Sequence, residues 1–262
     1  YRTNFWRVYT PNKWKENRIK DVKSDFDKLF VILPFEKDFF EVKHGFPVEF
    51  VGHPLIDAIH NRTKTDEVQF KKENNLDEKP VIALLPGSRK QEISKMLEVM
   101  LSVTDDFMDY QFVIAGAPSQ EFEFYQQFLT TKNVKFISNK TYDLLSISYA
   151  ALVTSGTATL ETALFKVPEV VCYKGSWASY QIAKRIITLK YISLVNLIMD
   201  KEVVTELIQE NFNKKRIKEE LSKLLEQDNR AKLLENYEIL EKKLGGIGAS
   251  AKTAKLIVNE LR

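Results

Sequence analysis

Two short stretches of this sequence combine residue types that suit an anionic ligand. The first is Leu85-Pro86-Gly87-Ser88-Arg89. Gly87 lets the backbone approach a ligand closely, Ser88 can cap a following helix, and the N–H groups at a helix start favour anions. Arg89 can grip a phosphate with two parallel hydrogen bonds. The same residues also read as a plain tight turn with an exposed arginine. The second stretch is Thr154-Ser155-Gly156-Thr157-Ala158-Thr159-Leu160-Glu161. Small hydroxyl residues and backbone N–H groups at a helix start, here Ser155, Gly156 and Thr157, bind diphosphates without a charged side chain. Glu161, about one turn further on, is placed to accept from both hydroxyls of a ribose. The alternative is an N-cap with a glutamate that complements the helix dipole. Neither stretch fits the G-x-G-x-x-G or the G-x-x-x-x-G-K-[ST] pattern, so a nucleotide site of another kind is expected.

Other candidates are weaker on their own. Gly52-His53-Pro54 breaks the pattern between two units, where clefts form. His53 could reach a phosphate or move a proton, or be a satisfied histidine at a hinge. Trp177, Tyr180, Lys184, Arg185 and Lys190 mix aromatic and basic residues on or beside an expected helix. That mixture suits an anionic membrane surface, but a packed helix with a basic outer face is the commoner source of it. No His, Cys, Asp or Glu grouping has metal-ligand spacing, so no metal is expected. The single cysteine, Cys172, excludes an internal disulfide and points to a reducing compartment.

The elements that must hold these loops are those of an α/β protein. Largely apolar runs at 81–85, 111–115, 134–137, 151–153 and 169–173 predict strands, and the patterns at 91–103, 120–130, 142–149, 157–165 and 179–188 predict helices between them. Such runs, each followed by a helix, mean a parallel sheet covered on both faces. In an open parallel sheet, ligands lie beyond the carboxyl ends of the strands, and both loops occupy such ends. Before this unit, 13–23 reads as a basic helix, 29–33 and 48–51 as strands, 35–43 as a helix and 61–79 as a polar stretch. After residue 200, leucines at helical spacing among Lys and Glu predict a helical tail with a solvated face. Unit boundaries are expected after residues 54 and 200. Of 262 residues, 44% are hydrophobic and 29% charged, the profile of a globular chain. The net charge of +3 is too small to argue for nucleic acid. No apolar run approaches the length of a membrane span.

Six stretches in order resemble one family. They are Phe35-Glu36-Lys37, Phe50-Val51-Gly52-His53-Pro54-Leu55, Leu84-Leu85-Pro86-Gly87-Ser88-Arg89, the segment from Ser155 to Glu161, Tyr191-Ile192-Ser193-Leu194-Val195-Asn196-Leu197, and Glu206-Leu207-Ile208-Gln209. Over roughly residues 13–260 the chain resembles the lipid-A-disaccharide synthases. The resemblance implies a GT-B type α/β fold, in which a Rossmann-like C-terminal domain holds the UDP-sugar. Here that domain would span 55–200, preceded by the last part of an N-terminal Rossmann-like domain (1–54) and followed by a helical segment (201–262). It implies transfer of 2,3-diacylglucosamine from UDP to 2,3-diacylglucosamine 1-phosphate, with inversion, no metal and no cofactor. Gly87, Ser88 and Arg89 would contact the donor, Ser155, Gly156 and Thr157 its diphosphate, and Glu161 its ribose. His53, Asn196, Glu206 and Gln209 are candidates for lining the cleft. Val195 and Thr205 stand where the family usually has proline. The catalytic base is expected in an N-terminal part that the sequence does not contain, so the chain is expected to bind UDP or its sugar weakly and not to turn over alone. Peripheral attachment to the cytoplasmic face of the inner membrane and a homodimer through the C-terminal helices are further implications. Another enzyme that uses UDP-N-acetylglucosamine, such as a 2-epimerase, and a non-catalytic UDP-binding fragment are the competing readings.

Overall fold

The computed structural model of the chain describes residues 18–129, 131, 133–175 and 190–260. Trp177, Tyr180, Lys184 and Arg185 lie outside the described residues, as do the helix expected at 179–188 and residues 13–17 of the basic helix expected at 13–23; the rest of the latter is helix α1 (Arg18–Asp25). Two compact units emerge. One groups Thr63–Gly175 with Tyr191–Glu238; the other groups the described residues up to Arg62 with those from Ile239 onward.

The larger unit is built on a six-stranded parallel sheet. Its strands are β3 (Val81–Leu85), β4 (Gln111–Gly116), β5 (Val134–Ser138), β6 (Ser148–Thr154), β7 (Glu169–Tyr173) and β8 (Glu206–Ile208), in the spatial order β5-β4-β3-β6-β7-β8. The apolar run Val81-Ile82-Ala83-Leu84-Leu85 is buried throughout because both faces of the sheet are covered. Ile82 and Leu84 pack with helix α5 (Lys90–Leu101) through Ile93, Met96, Leu97 and Met100. Val81, Ala83 and Leu85 meet Leu144 and Leu145 of helix α7 (Thr141–Ile147), and Phe70 of helix α4 (Glu67–Glu73). Each fully buried Leu or Ile contributes about 1.5–3 kcal/mol of transfer free energy. This sandwich fixes where each strand ends, and so where each loop begins.

The chain runs outward through β3, β4 and β5, then restarts beside β3 and runs the other way through β6, β7 and β8. The reversal lies between β3 and β6, where Leu85 pairs with Val153. Loops leaving two strands at such a reversal part to opposite faces and leave a crevice.

The smaller unit holds the parallel pair β1 (Phe30–Val31) and β2 (Glu49–Phe50), with helix α2 (Pro34–Asp38) continuing as a π turn to Lys43. Val22, Val31, Phe40 and Val48 form its core. Helix α3 (Pro54–His60) and the last helix, Ala249–Glu260, belong to this unit as well. Both Asp57 oxygens accept backbone N–H groups, from Gly248 at 2.6 Å and Ser250 at 2.8 Å, so α3 caps the start of the last helix. These donors hold the Asp57 carboxyl below its ordinary value.

The grouping differs from the sequence boundaries in specific places. The Asp57 clip keeps α3 with the smaller unit, so the division falls at Arg62 and Thr63 rather than after residue 54. The tail expected as helical from 201 begins with strand β8, and the second division falls inside the helix Gln227–Lys243. The polar stretch 61–79 contains α4, which starts where Asp66 accepts from the Gln69 N–H at 3.0 Å. The helix expected at 120–130 is confined to α6 (Phe122–Gln126).

Candidate functional site

Gly87 leaves β3 at φ +101°, a conformation that costs a side chain strain. The helix start differs by one residue from expectation. Arg89, not Ser88, occupies the N-cap, in an extended conformation and without a side-chain cap bond. The capping duty passes to Glu92, three residues on. Its carboxylate turns back to accept from the Ser88 N–H at 3.4 Å and packs so close over Gly87 that a Cβ there would lie 2.5 Å from Glu92 Oε2. Ser88 is further held by its carbonyl, which accepts from the Ser119 hydroxyl at 2.8 Å, so the loops after β3 and β4 are tied together. Arg89 is left exposed with its fork of donors facing solvent.

The β6 loop lies one strand away. Ser155 donates its N–H to the Cys172 carbonyl at 3.0 Å and its hydroxyl to the Ile192 carbonyl at 2.9 Å. Gly156 is the N-cap of helix α8 (Thr157–Leu164), with open space where a Cβ would stand. The first N–H groups of a helix have no partner within it, so Gly156, Thr157 and Ala158 present donors and the positive end of a dipole to any anion. The Thr159 hydroxyl turns inward to the Gly156 carbonyl at 2.8 Å, which tightens the turn. Glu161 sits in the second turn, half-buried, and accepts from the Tyr142 hydroxyl at 2.9 Å. Burial and the adjacent carboxylate push the Tyr142 phenol up, so it stays protonated and donates.

The candidates further along hold one another. Asn196 is fully buried. Its Oδ1 accepts from Val203 N–H at 2.7 Å and Val204 N–H at 3.0 Å; its Nδ2 donates to the Val204 carbonyl at 2.8 Å and to Glu206 Oε1 at 2.9 Å. Glu206 also accepts from the N–H groups of Ile192 and Ser193, both at 2.9 Å. Asn196 thus has its full bonding capacity occupied by the protein. The pair is a clip, and through Ile192 it fixes the carbonyl that holds the Ser155 hydroxyl. Gln209 follows β8 at φ +53°, and its Nε2 is buried without a hydrogen-bond partner among the described residues. An unpaired donor on a strained backbone is the kind of feature that functional sites retain.

His53 belongs to the smaller unit. It caps α3, its Nδ1 accepting from the Leu55 N–H at 3.2 Å, while its backbone N–H donates to the Leu244 carbonyl at 2.9 Å. Burial pushes its pKa down to about 4, so at neutral pH the ring is uncharged with its proton on Nε2. It can donate one hydrogen bond and cannot serve as a cation for phosphate. Cys172 is a free, buried thiol in β7. Among the described residues no group of three His, Cys, Asp or Glu side chains is arranged to hold a metal ion.

Tyr142, Glu92 and Ser119 were not singled out in the sequence. Counted from the expected cap Ser88, the capping-box position falls on Gln91, so Glu92 had no local signal. Tyr142 had none, because it meets Glu161 across 19 positions and two helices.

The class defined by this sheet order, with anion-ready loops at the reversal, is the doubly wound, Rossmann-like α/β fold of GT-B proteins. The same fold recurs in the Staphylococcus aureus MnaA–UDP co-structure, at TM-score 0.62 and 16% identity over 92% of this chain and 63% of that one. It recurs in UDP-GlcNAc 2-epimerase from Neisseria meningitidis bound to UDP-GlcNAc, at TM-score 0.61 and 17% identity over 88% of this chain and 61% of that one. In sequence, the profile of the lipid-A-disaccharide synthetases matches residues 12–258. Lipid-A-disaccharide synthase of Idiomarina loihiensis is 37% identical, over 93% of this chain and 65% of that protein. Those of Syntrophus aciditrophicus and Geobacter sulfurreducens are 35% and 33% identical, over 95% of this chain and 67% and 66% of theirs. The chain spans about two thirds of the length of these curated relatives, and it belongs to the lipid-A-disaccharide synthase family.

Proposed function

We propose that this chain carries the donor site of a lipid-A-disaccharide synthase, a glycosyltransferase that moves 2,3-diacylglucosamine from UDP to 2,3-diacylglucosamine 1-phosphate. One observation carries the reading. The two loops that suit a diphosphate, Gly87-Ser88-Arg89 and Ser155-Gly156-Thr157, leave neighbouring strands at the sheet reversal, where Leu85 pairs with Val153. In this reading the start of α8 and Arg89 hold the diphosphate, and Glu161 holds the ribose. As the bond between sugar and phosphate breaks, negative charge grows on UDP, and prepositioned N–H dipoles and a guanidinium stabilise it without having to reorganise. An α-linked donor and a β-linked product require inversion, which direct attack by the acceptor 6-hydroxyl provides. The Asn196–Glu206 clip supports the Ser155 loop from behind, and Gln209 offers a donor at the neighbouring strand end.

Family membership also supports attachment at the cytoplasmic face of the inner membrane and a homodimer through the C-terminal helices. No described helix is long and apolar enough to cross a membrane.

Retention of labelled UDP-2,3-diacylglucosamine by the purified chain tests the reading. The donor is expected to bind and to be chased by UDP, but not by 2,3-diacylglucosamine 1-phosphate. Arg89→Ala should weaken retention by about tenfold, the scale of one charge-assisted contact. Donor that is not retained, or that is chased by the acceptor and not by UDP, would contradict it.

A further inference from the structure

Tyr142 is the second residue of α7, and it engages α8 and the residue that caps the C-terminus of that helix. Its hydroxyl donates to Glu161 Oε1 at 2.9 Å. Its ring packs against Phe165, one turn beyond Glu161, with centroids 5.1 Å apart and planes tilted by 54°. The ring contact fixes the hydroxyl in space, and the hydroxyl fixes one carboxylate oxygen. A free glutamate loses rotamer entropy when a ligand immobilises it. A glutamate already held by a neighbour has lost it before the ligand arrives. Glu161 is half-buried on the helix whose N-terminus forms the β6 loop. Its Oε2, and the second lone pair of Oε1, remain for the hydroxyls of a ligand.

We propose that Tyr142 is a positioning residue, which orients the Glu161 carboxylate to accept from the ribose hydroxyls of a bound nucleoside diphosphate and so sets a preference for ribo- over 2′-deoxyribonucleotides. The proposal rests on the reading of the β6 loop as the nucleotide site. It adds that the sugar is recognised through a tyrosine on another helix.

UDP and 2′-deoxy-UDP titrated into the wild type, Tyr142→Phe and Glu161→Ala test it. Phenylalanine keeps the ring against Phe165 and removes only the hydroxyl. The wild type is expected to prefer UDP by about tenfold, the scale of one hydrogen bond to a charged group. Tyr142→Phe should lower UDP affinity about fivefold while 2′-deoxy-UDP changes less than about twofold, with the thermal midpoint unmoved. The preference should then fall to near that of Glu161→Ala. A purely structural tyrosine would weaken both ligands alike or lower the midpoint. A full preference retained in Tyr142→Phe but lost in Glu161→Ala overturns the role of Tyr142 and leaves the nucleotide site standing. A wild type that binds neither ligand overturns both.

Discussion

His53 shows how burial chooses a role for a titratable residue. Its ring supplies the acceptor that starts α3, and that acceptor exists only while Nδ1 is unprotonated. Burial favours the same form, so its pKa sits near 4 in the fold against about 6.5 when exposed. A depressed pKa contributes stability that is present above the unfolded value and lost as pH falls towards the folded one. His53→Asn keeps a good N-cap and does not titrate. Urea midpoints measured from pH 7 to pH 4 should therefore fall less in His53→Asn than in the wild type, with the two diverging between about pH 6.5 and 4. Parallel curves would mean that the ring is not held neutral. Gly52-His53-Pro54 was legible as a break in the pattern, but the division falls further on, at Arg62 and Thr63, and the tautomer of His53 was not legible, because it depends on the Leu55 N–H and on burial that only the folded chain supplies.

Strand β7 carries the largest departure from an apolar core. Glu169, at its first position, is 1% exposed, and neither carboxyl oxygen has a hydrogen-bond partner among the described residues. Burial pushes this acid well up, so it keeps its proton to higher pH in the fold than an exposed glutamate does. For a raised pKa the sign reverses: the contribution is fully present below the unfolded value of about 4.3 and is lost as pH rises. Glu169→Gln has the same shape and no ionisation. Relative to it, the wild type should lose about 1.4 kcal/mol per pH unit between roughly pH 5 and the folded pKa. Equal pH dependence in thermal melts of the two would contradict a raised pKa at Glu169. The apolar run after it made β7 readable from sequence, as were β3, β4 and β6, because strands buried on both faces are mostly apolar; β5 was readable too, although it is an edge strand interrupted by Lys135. β8 was not readable: three residues, Glu206-Leu207-Ile208, at the edge of a sheet leave no run to see. Helix α4 was hidden by its charges, although Asp66 three residues before Gln69 was a usable start signal.

Across the whole molecule, what the sequence revealed of the candidate site were the parts borne on single loops: Gly87 to Arg89 and Ser155 to Thr157 stand where strands hand over to helices. What it hid were the cross-links, Glu92 over Gly87, Ser119 to Ser88, Tyr142 to Glu161 and Asn196 to Glu206, each joining separate turns or elements. Those links are what make a crevice at the sheet reversal into a preorganised one. Calorimetric titration of UDP into the wild type and into Glu161→Ala tests the central claim, that this crevice is a nucleotide-sugar site. Binding to the wild type that weakens by about tenfold in Glu161→Ala, roughly 1.4 kcal/mol, is the predicted result. Equal affinity in the two chains, or no binding to either, would contradict it.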